Sequence, residues 1–215
     1  MNQITTILGI PSDSFSTEIA LATATQAISH GVEASSIISS VYSNKLNYTP
    51  SGNEISSWKD ALGNGATYAT LVSSVSSGIE AQSVITGVYQ QKTGTGPSSD
   101  ALSVWENALA NGSSYKAMVN AVSHGTEASN AITTVYQQKI GKTPSAGEIN
   151  AWEDYLSTGA TYRTLVSGVS QGAQAQQIIA AVYKDKAGIV ASSGQVDAWT
   201  SYLVSGGNYS TMVSV

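Results

Sequence analysis

The chain contains no cysteine. A disulfide framework, a thiol nucleophile and a thiolate zinc site are all ruled out, and the redox compartment is left open. Charge is also scarce: 9 Lys and Arg against 14 Asp and Glu make up 11% of 215 residues, for a net charge of -5 and a pI near 4.9. Such a chain lacks the charge repulsion that drives intrinsic disorder. It also lacks the basic field that a phosphate backbone requires, so nucleic acid is not an expected partner. Long apolar runs are missing as well. Nothing approaches the roughly 20 unbroken apolar residues of a membrane-spanning helix. Met1 to Phe15 has neither a basic n-region nor an apolar run long enough for a cleaved secretion signal. There are only two histidines, no calcium loop of alternating aspartates and glycine, and no Gly-x-Ser-x-Gly elbow. The expectation is therefore a protein that is not an enzyme, with no catalytic residue, no metal site and no cofactor.

What is present is repetition. Trp58, Trp105, Trp152 and Trp199 are the only four tryptophans, and each lies 47 residues from the next. The same step links Tyr42, Tyr89, Tyr136 and Tyr183, and also Tyr68, Tyr115, Tyr162 and Tyr209. Two glycine series, Gly31, Gly78, Gly125 and Gly172 with Gly65, Gly112, Gly159 and Gly206, keep it too. Residues 78–124 align with 125–171 without a gap and share 21 of 47 positions. Tandem repeats therefore occupy 31–77, 78–124, 125–171 and 172–215, with 1–30 as a divergent N-terminal cap or half-repeat.

Apolar spacing within a repeat is helical. In 78–124, Ala81, Val84, Ile85, Val88 and Tyr89 form one stripe, Leu102, Trp105 and Leu109 a second, and Tyr115, Met118, Val119 and Val122 a third. The middle helix opens with Ser51-Gly-Asn-Glu54, Ser145-Ala-Gly-Glu148 and Ser192-Ser-Gly-Gln195, each of capping-box form, while Ala101 leaves the second copy incomplete. Gly65, Gly112, Gly159 and Gly206 stand where that helix ends in a left-handed cap. The third helix begins at Thr67, Ser113, Thr161 or Asn208 and runs to the next junction glycine, where Ser77-Gly-Ile-Glu80 again has capping-box form. Helices this short are marginal alone and must share a core with their neighbours. The expected fold is all-α: a tandem array of four ~47-residue three-helix repeats packed into an elongated, solenoid-like stack.

The helical phase assigns Trp58, Trp105, Trp152 and Trp199 to the apolar stripe of the middle helix and Tyr42, Tyr89, Tyr136 and Tyr183 to the first, so both sets are read as structural core. Tyr68, Tyr115, Tyr162 and Tyr209 open the third helix, where a ring can be buried with its hydroxyl exposed. They are the candidate glycan or partner contacts. His30 and His124 share a phase two repeats apart, too distant for a common metal, and are read as helix-start residues. The exterior is rich in Ser, Thr, Asn and Gln and poor in charge, which suits hydrogen bonding to sugars or to identical neighbours.

The segment Val135 to Val166, VYQQKIGKTPSAGEINAWEDYLSTGATYRTLV, resembles a bacterial tandem-repeat domain of unknown function. The pattern is an aliphatic-Tyr pair, a Leu/Ile-Gly-basic turn, Pro, a Gly-containing cap, Trp, Leu and then Gly-Ala/Ser-Thr. Tyr136, Gly141, Pro144, Trp152, Leu156 and Gly159 are the matching positions, while Lys142, Asn47 and Ala191 depart from it. That family occurs in large type I-secreted surface proteins, including haemolysin-like adhesins and S-layer-associated proteins. The resemblance implies a secreted or cell-surface location without a cleaved N-terminal signal, and no reaction. Two functions are expected in order: a non-catalytic structural protein that self-assembles or anchors an extracellular layer, and a carbohydrate-binding module for cell-surface polysaccharide such as O-antigen.

Overall fold

The computed structural model describes the backbone of residues 12–214 and the side chains of residues 21–214. The expectation about an export signal in the first 15 residues lies outside the described side chains. Among the described residues there are thirteen helices and no strand, so the fold is all-α. They are α1 (Ser12–His30), α2 (Val32–Leu46), α3 (Gly52–Gly63), α4 (Tyr68–Ser77), α5 (Ile79–Thr93), α6 (Ser99–Ala110), α7 (Tyr115–Ser123), α8 (Thr126–Ile140), α9 (Ala146–Ser157), α10 (Tyr162–Gln171), α11 (Ala173–Ala187), α12 (Ser193–Val204) and α13 (Tyr209–Ser214). Two compact units divide the described residues: one holds those up to Gln82 together with Glu106–Tyr115, the other Ser83–Trp105 together with those from Lys116 onward.

Local chemistry sets the helix boundaries. Ser51 accepts from the Glu54 amide at 3.3 Å and returns its own N–H to the Glu54 carboxylate at 2.7 Å. The Ser145–Glu148 and Ser192–Gln195 boxes close in the same way. At the head of α6, Ser98 accepts from the Ala101 amide, and alanine has no acceptor to complete the exchange. Threonine pairs, Thr67 with Thr70 and Thr161 with Thr164, open α4 and α10. The start of α7 differs from expectation by one residue, because Ser113 is used in the preceding turn, where its N–H donates to the Ala108 carbonyl at 2.9 Å.

That turn is the same at the end of every middle helix. Gly65, Gly112, Gly159 and Gly206 have φ of 98°, 114°, 127° and 116°. The next amide reaches the carbonyl five residues back, from Ala66 to Ala61, Ser113 to Ala108, Ala160 to Tyr155 and Gly207 to Tyr202. This is a Schellman closure, and a Cβ at its glycine would be strained by the backbone alone.

The junction glycines serve a different purpose. Ser77 does not cap α5 as its sequence suggests: it is the last residue of α4, and its hydroxyl donates to the Ser73 carbonyl at 2.9 Å. Gly78 alone separates the two helices. Its counterpart Gly172 is extended (φ -66°, ψ 165°) and offers no side-chain cap. A Cβ would lie 3.0 Å from the Ser74 carbonyl oxygen at Gly78 and 2.8 Å from that of Gly168 at Gly172, so the sharp bend needs the missing methyl. His30 and His124 consequently end helices rather than begin them, His30 as the last residue of α1 and His124 directly after α7.

In the first unit α1 packs on α2 and α3, and α2 packs on α3 and α4. In the second, α8 meets α9, α10, α11 and α13, while α10 meets α11 and α12. A core of Ile132, Val135, Tyr136, Ile140, Leu156, Leu165 and Val169 also takes in Ala175 from α11. Ile178 then packs both on it and on the neighbouring cluster of Ile179, Leu203 and Met212. Helices of nine to fifteen residues thereby obtain the apolar cover they cannot make alone.

Ser76, Ser123 and Ser170, each two residues before a junction glycine, are wholly buried, and their hydroxyls have no hydrogen-bond partner. Such a group carries a desolvation cost with nothing to offset it. Ser123→Ala is accordingly expected to leave stability unchanged or raise it, whereas Ser123→Leu overfills the site and lowers it by about 1–3 kcal/mol. Urea denaturation of the two variants checks both signs.

Candidate functional site

The aromatic sets occupy defined places. Each tryptophan is half-buried and donates its indole N–H to a tyrosine hydroxyl sixteen residues earlier: Trp58 to Tyr42 and Trp199 to Tyr183 at 3.1 Å, Trp105 to Tyr89 and Trp152 to Tyr136 at 3.2 Å. Tyr42, Tyr89 and Tyr136 are buried, and Tyr183 is half-buried. Burial raises the phenol pKa of Tyr42, Tyr89 and Tyr136, with the indole bond opposing it in part.

The four tyrosines singled out as contacts are not equivalent. Tyr162 lies over the turn after α5, where a Cβ built on Gly94 would come 2.8 Å from its ring. Tyr209 covers Gly141, at the end of α8, in the same way. Tyr115 is half-buried, and Tyr68 is 61% exposed. The structure therefore spends Tyr162 and Tyr209 on internal packing and leaves Tyr68 as the open ring.

Beside each covered turn lies a lysine that motif reading passed over. Lys45, Lys92 and Lys139 stand in the last turns of α2, α5 and α8 and are buried. Lys45 Nζ donates to the Ser113 carbonyl at 2.9 Å. Lys92 Nζ donates to the Leu156 carbonyl at 2.8 Å and the Ala160 carbonyl at 2.9 Å. Lys139 Nζ donates to the Gly207 carbonyl at 2.8 Å. Ser113, Ala160 and Gly207 each follow a Schellman glycine, so every lysine delivers its ammonium to the negative end of a middle helix 68 residues ahead. Burial lowers the pKa of all three. The carbonyls and the helix dipole favour the charged form in return. The sequence did carry a signal, since lysine recurs at 45, 92, 139 and 186 with the 47-residue step of the aromatics. It was hidden because a lysine in a final helical turn is unremarkable by itself.

The histidines are tied down as well. His124 Nδ1 lies 2.8 Å from the Asn120 carbonyl, and Nε2 lies 3.1 Å from the Asp154 carboxylate. His30 repeats this arrangement with Gln26 and Asp60. At His124 a carbonyl and a carboxylate both accept, so that ring is best satisfied when both nitrogens carry protons. Among the described residues no group of three or more His, Asp or Glu is placed to hold a metal, and no helix is long and apolar enough to cross a membrane. No protein-family model matches this chain, and comparison with curated proteins and with solved structures likewise finds no match.

Two outcomes follow from this geometry. Lys92→Met removes the donor to Leu156 and Ala160 and is expected to cost about 1–3 kcal/mol in urea unfolding, whereas the exposed Lys184→Met stays within about 0.5 kcal/mol of the parent. The His124 pKa is raised above 6.5, first by the Asn120 carbonyl and then by Asp154. Its contribution to stability is fully present below the unfolded pKa and fades as pH rises through the folded value. Histidine titration by NMR is expected to show a lower His124 pKa in Asp154→Asn than in the parent.

Proposed function

We propose that this protein is a non-catalytic, secreted or cell-surface structural protein that self-assembles or anchors an extracellular layer. In this reading the four repeats, 31–77, 78–124, 125–171 and 172–215, form a continuous solenoid-like stack behind the cap at 1–30, and each presents the same polar face at a regular interval. The observation that carries it is the recurrence of one internal geometry: the indole–phenol bond is made four times at 3.1–3.2 Å, once per 47 residues. A scaffold that holds its step this closely can add weak, identical contacts along its length. The exterior suits the task, because 11% charge leaves serine, threonine and amide side chains to make those contacts. Resemblance of the Tyr136-to-Gly159 pattern to repeats of large type I-secreted adhesins and S-layer-associated proteins supports the location.

A second reading is a carbohydrate-binding module for cell-surface polysaccharide such as O-antigen. The rings of Tyr68 and Tyr155, 61% and 54% exposed, favour it, since sugars stack on open aromatic faces.

Negative-stain electron microscopy, paired with a pull-down on immobilised surface polysaccharide, tests both. Ordered sheets or fibres support the structural reading. Binding that disappears in Tyr68→Ala supports the second. Dispersed particles that bind no polysaccharide would overturn both.

A further inference from the structure

Among the described residues the lysine joint is made three times, and the positions in phase with it on either side of the series are uncovered. At one end, Lys186 is the fourth lysine in phase, yet it is exposed and has no hydrogen-bond partner among the described residues. Gly188, with φ of 69°, has nothing within 4 Å of a built Cβ, unlike Gly94 and Gly141 under their tyrosines. The positions around it are uncovered too. Val135, Lys139 and Ile140 are 0%, 7% and 2% exposed, whereas Val182 is half-buried and Lys186 and Ala187 are exposed. An open groove there is lined by Val182, Tyr183, Lys186, Ala187, Trp199 and Met212.

The other end is its complement. Leu62 and Ala66 occupy the phase of Leu156 and Ala160, whose carbonyls receive Lys92, and no lysine reaches them among the described residues. Tyr68 is the one exposed ring of its series. Ile28, at the phase of Val75, Val122 and Val169, is 75% exposed where those three are 4%, 4% and 5% exposed. A groove lined by Ile28, Ala34, Ile37, Leu62, Tyr68 and Leu71 runs beside them.

We propose, resting on the self-assembly reading above, that these ends join two molecules. The end of α11 on one molecule receives the end of α3 and the start of α4 of a second molecule. Lys186 Nζ donates to the partner molecule's Ala66 and Leu62 carbonyls, and its Tyr68 ring covers Gly188. The occupant is fixed by the chain's own internal joints, which pair a buried lysine and a left-handed turn with a Schellman-closed helix end and a tyrosine. Continuing the 47-residue register places the second molecule's α1 where α13 lies, so α13, with Tyr209 and Met212, must give way to it. The exchange is unequal: α13 has 6 residues and α1 has 19. Ile28 then gains cover from α11, in the way that α4 packs on α2 within the chain. Because the two surfaces differ, the contact is heterologous, and each joint leaves one unlike end free to take up a further molecule.

Sedimentation velocity on the intact chain over a wide concentration range tests the joint. The parent is expected to form an open series of oligomers. Tyr68→Ala and Lys186→Glu, each altering one end, should weaken association about tenfold or more, as loss of a central interface residue does. An equimolar mixture of the two variants retains one good end on each partner and should stop at dimers. Val104→Ser, on an exposed side chain outside the joint, should behave as the parent. Oligomers that persist unchanged in both end variants would overturn the joint and leave the assembly reading standing. A parent that stays monomeric throughout, or forms only a closed dimer, would also overturn the joint, while polysaccharide binding or layer formation would still decide the broader reading.

Discussion

A lysine ammonium set against the carbonyl end of a helix 68 residues ahead is the contact on which this architecture turns. Short helices leave four carbonyls without an intrahelical donor at each C-terminus, and a buried terminus cannot turn to water for them. The Schellman glycines satisfy two by folding the chain back, and the lysine supplies a charged donor to what remains. Lys92, which reaches both Leu156 and Ala160, shows the arrangement at its fullest. Taking an ammonium out of water is costly, so the contact is tolerable only when helix dipole, carbonyls and aromatic cover coincide. That requirement makes it a device for register: a helix displaced by one residue would leave the charge buried without acceptors.

Charge usage follows from the same arrangement. Three of nine basic side chains are committed to internal joints, and both histidines bridge helix ends to Asp60 and Asp154. Few cations are left for the exterior, where serine, threonine, asparagine and glutamine predominate. Such a surface repels its neighbours weakly and offers many hydrogen-bonding groups, which is the physical basis for reading the molecule as a building element. The aromatic residues complete the division of labour. Tryptophans fasten to tyrosines of the preceding helix, and Tyr162 and Tyr209 close the turns beside Lys92 and Lys139.

Much of this was legible beforehand. Period, helix phase and cap chemistry are local properties, so Ser51, Ser145 and Ser192 announced their helices, the glycines at 65, 112, 159 and 206 announced the ends, and Ala101 announced a half-made box. The junctions were misread for an equally local reason. Ser77-Gly-Ile-Glu80 has the form of a cap, but the serine side chain is engaged by its own helix and the glycine is present to keep a methyl off the Ser74 carbonyl. Close approach of this kind has no signature in residue type. Lys45, Lys92 and Lys139 escaped because their acceptors are backbone atoms, which every residue carries.

The amino-acid order alone determined that the chain is helical, where most helices start and stop, and that one pattern returns every 47 residues, because caps, glycine turns and apolar stripes act within a few residues of themselves. Only the tertiary structure decided that four tyrosines of identical phase have different fates, with Tyr162 and Tyr209 closed over glycine turns and Tyr68 left open. The same holds for four lysines, of which Lys186 alone lacks an acceptor among the described residues. Equivalent positions in a repeat share a local environment but not a neighbour, and burial is a property of the neighbour.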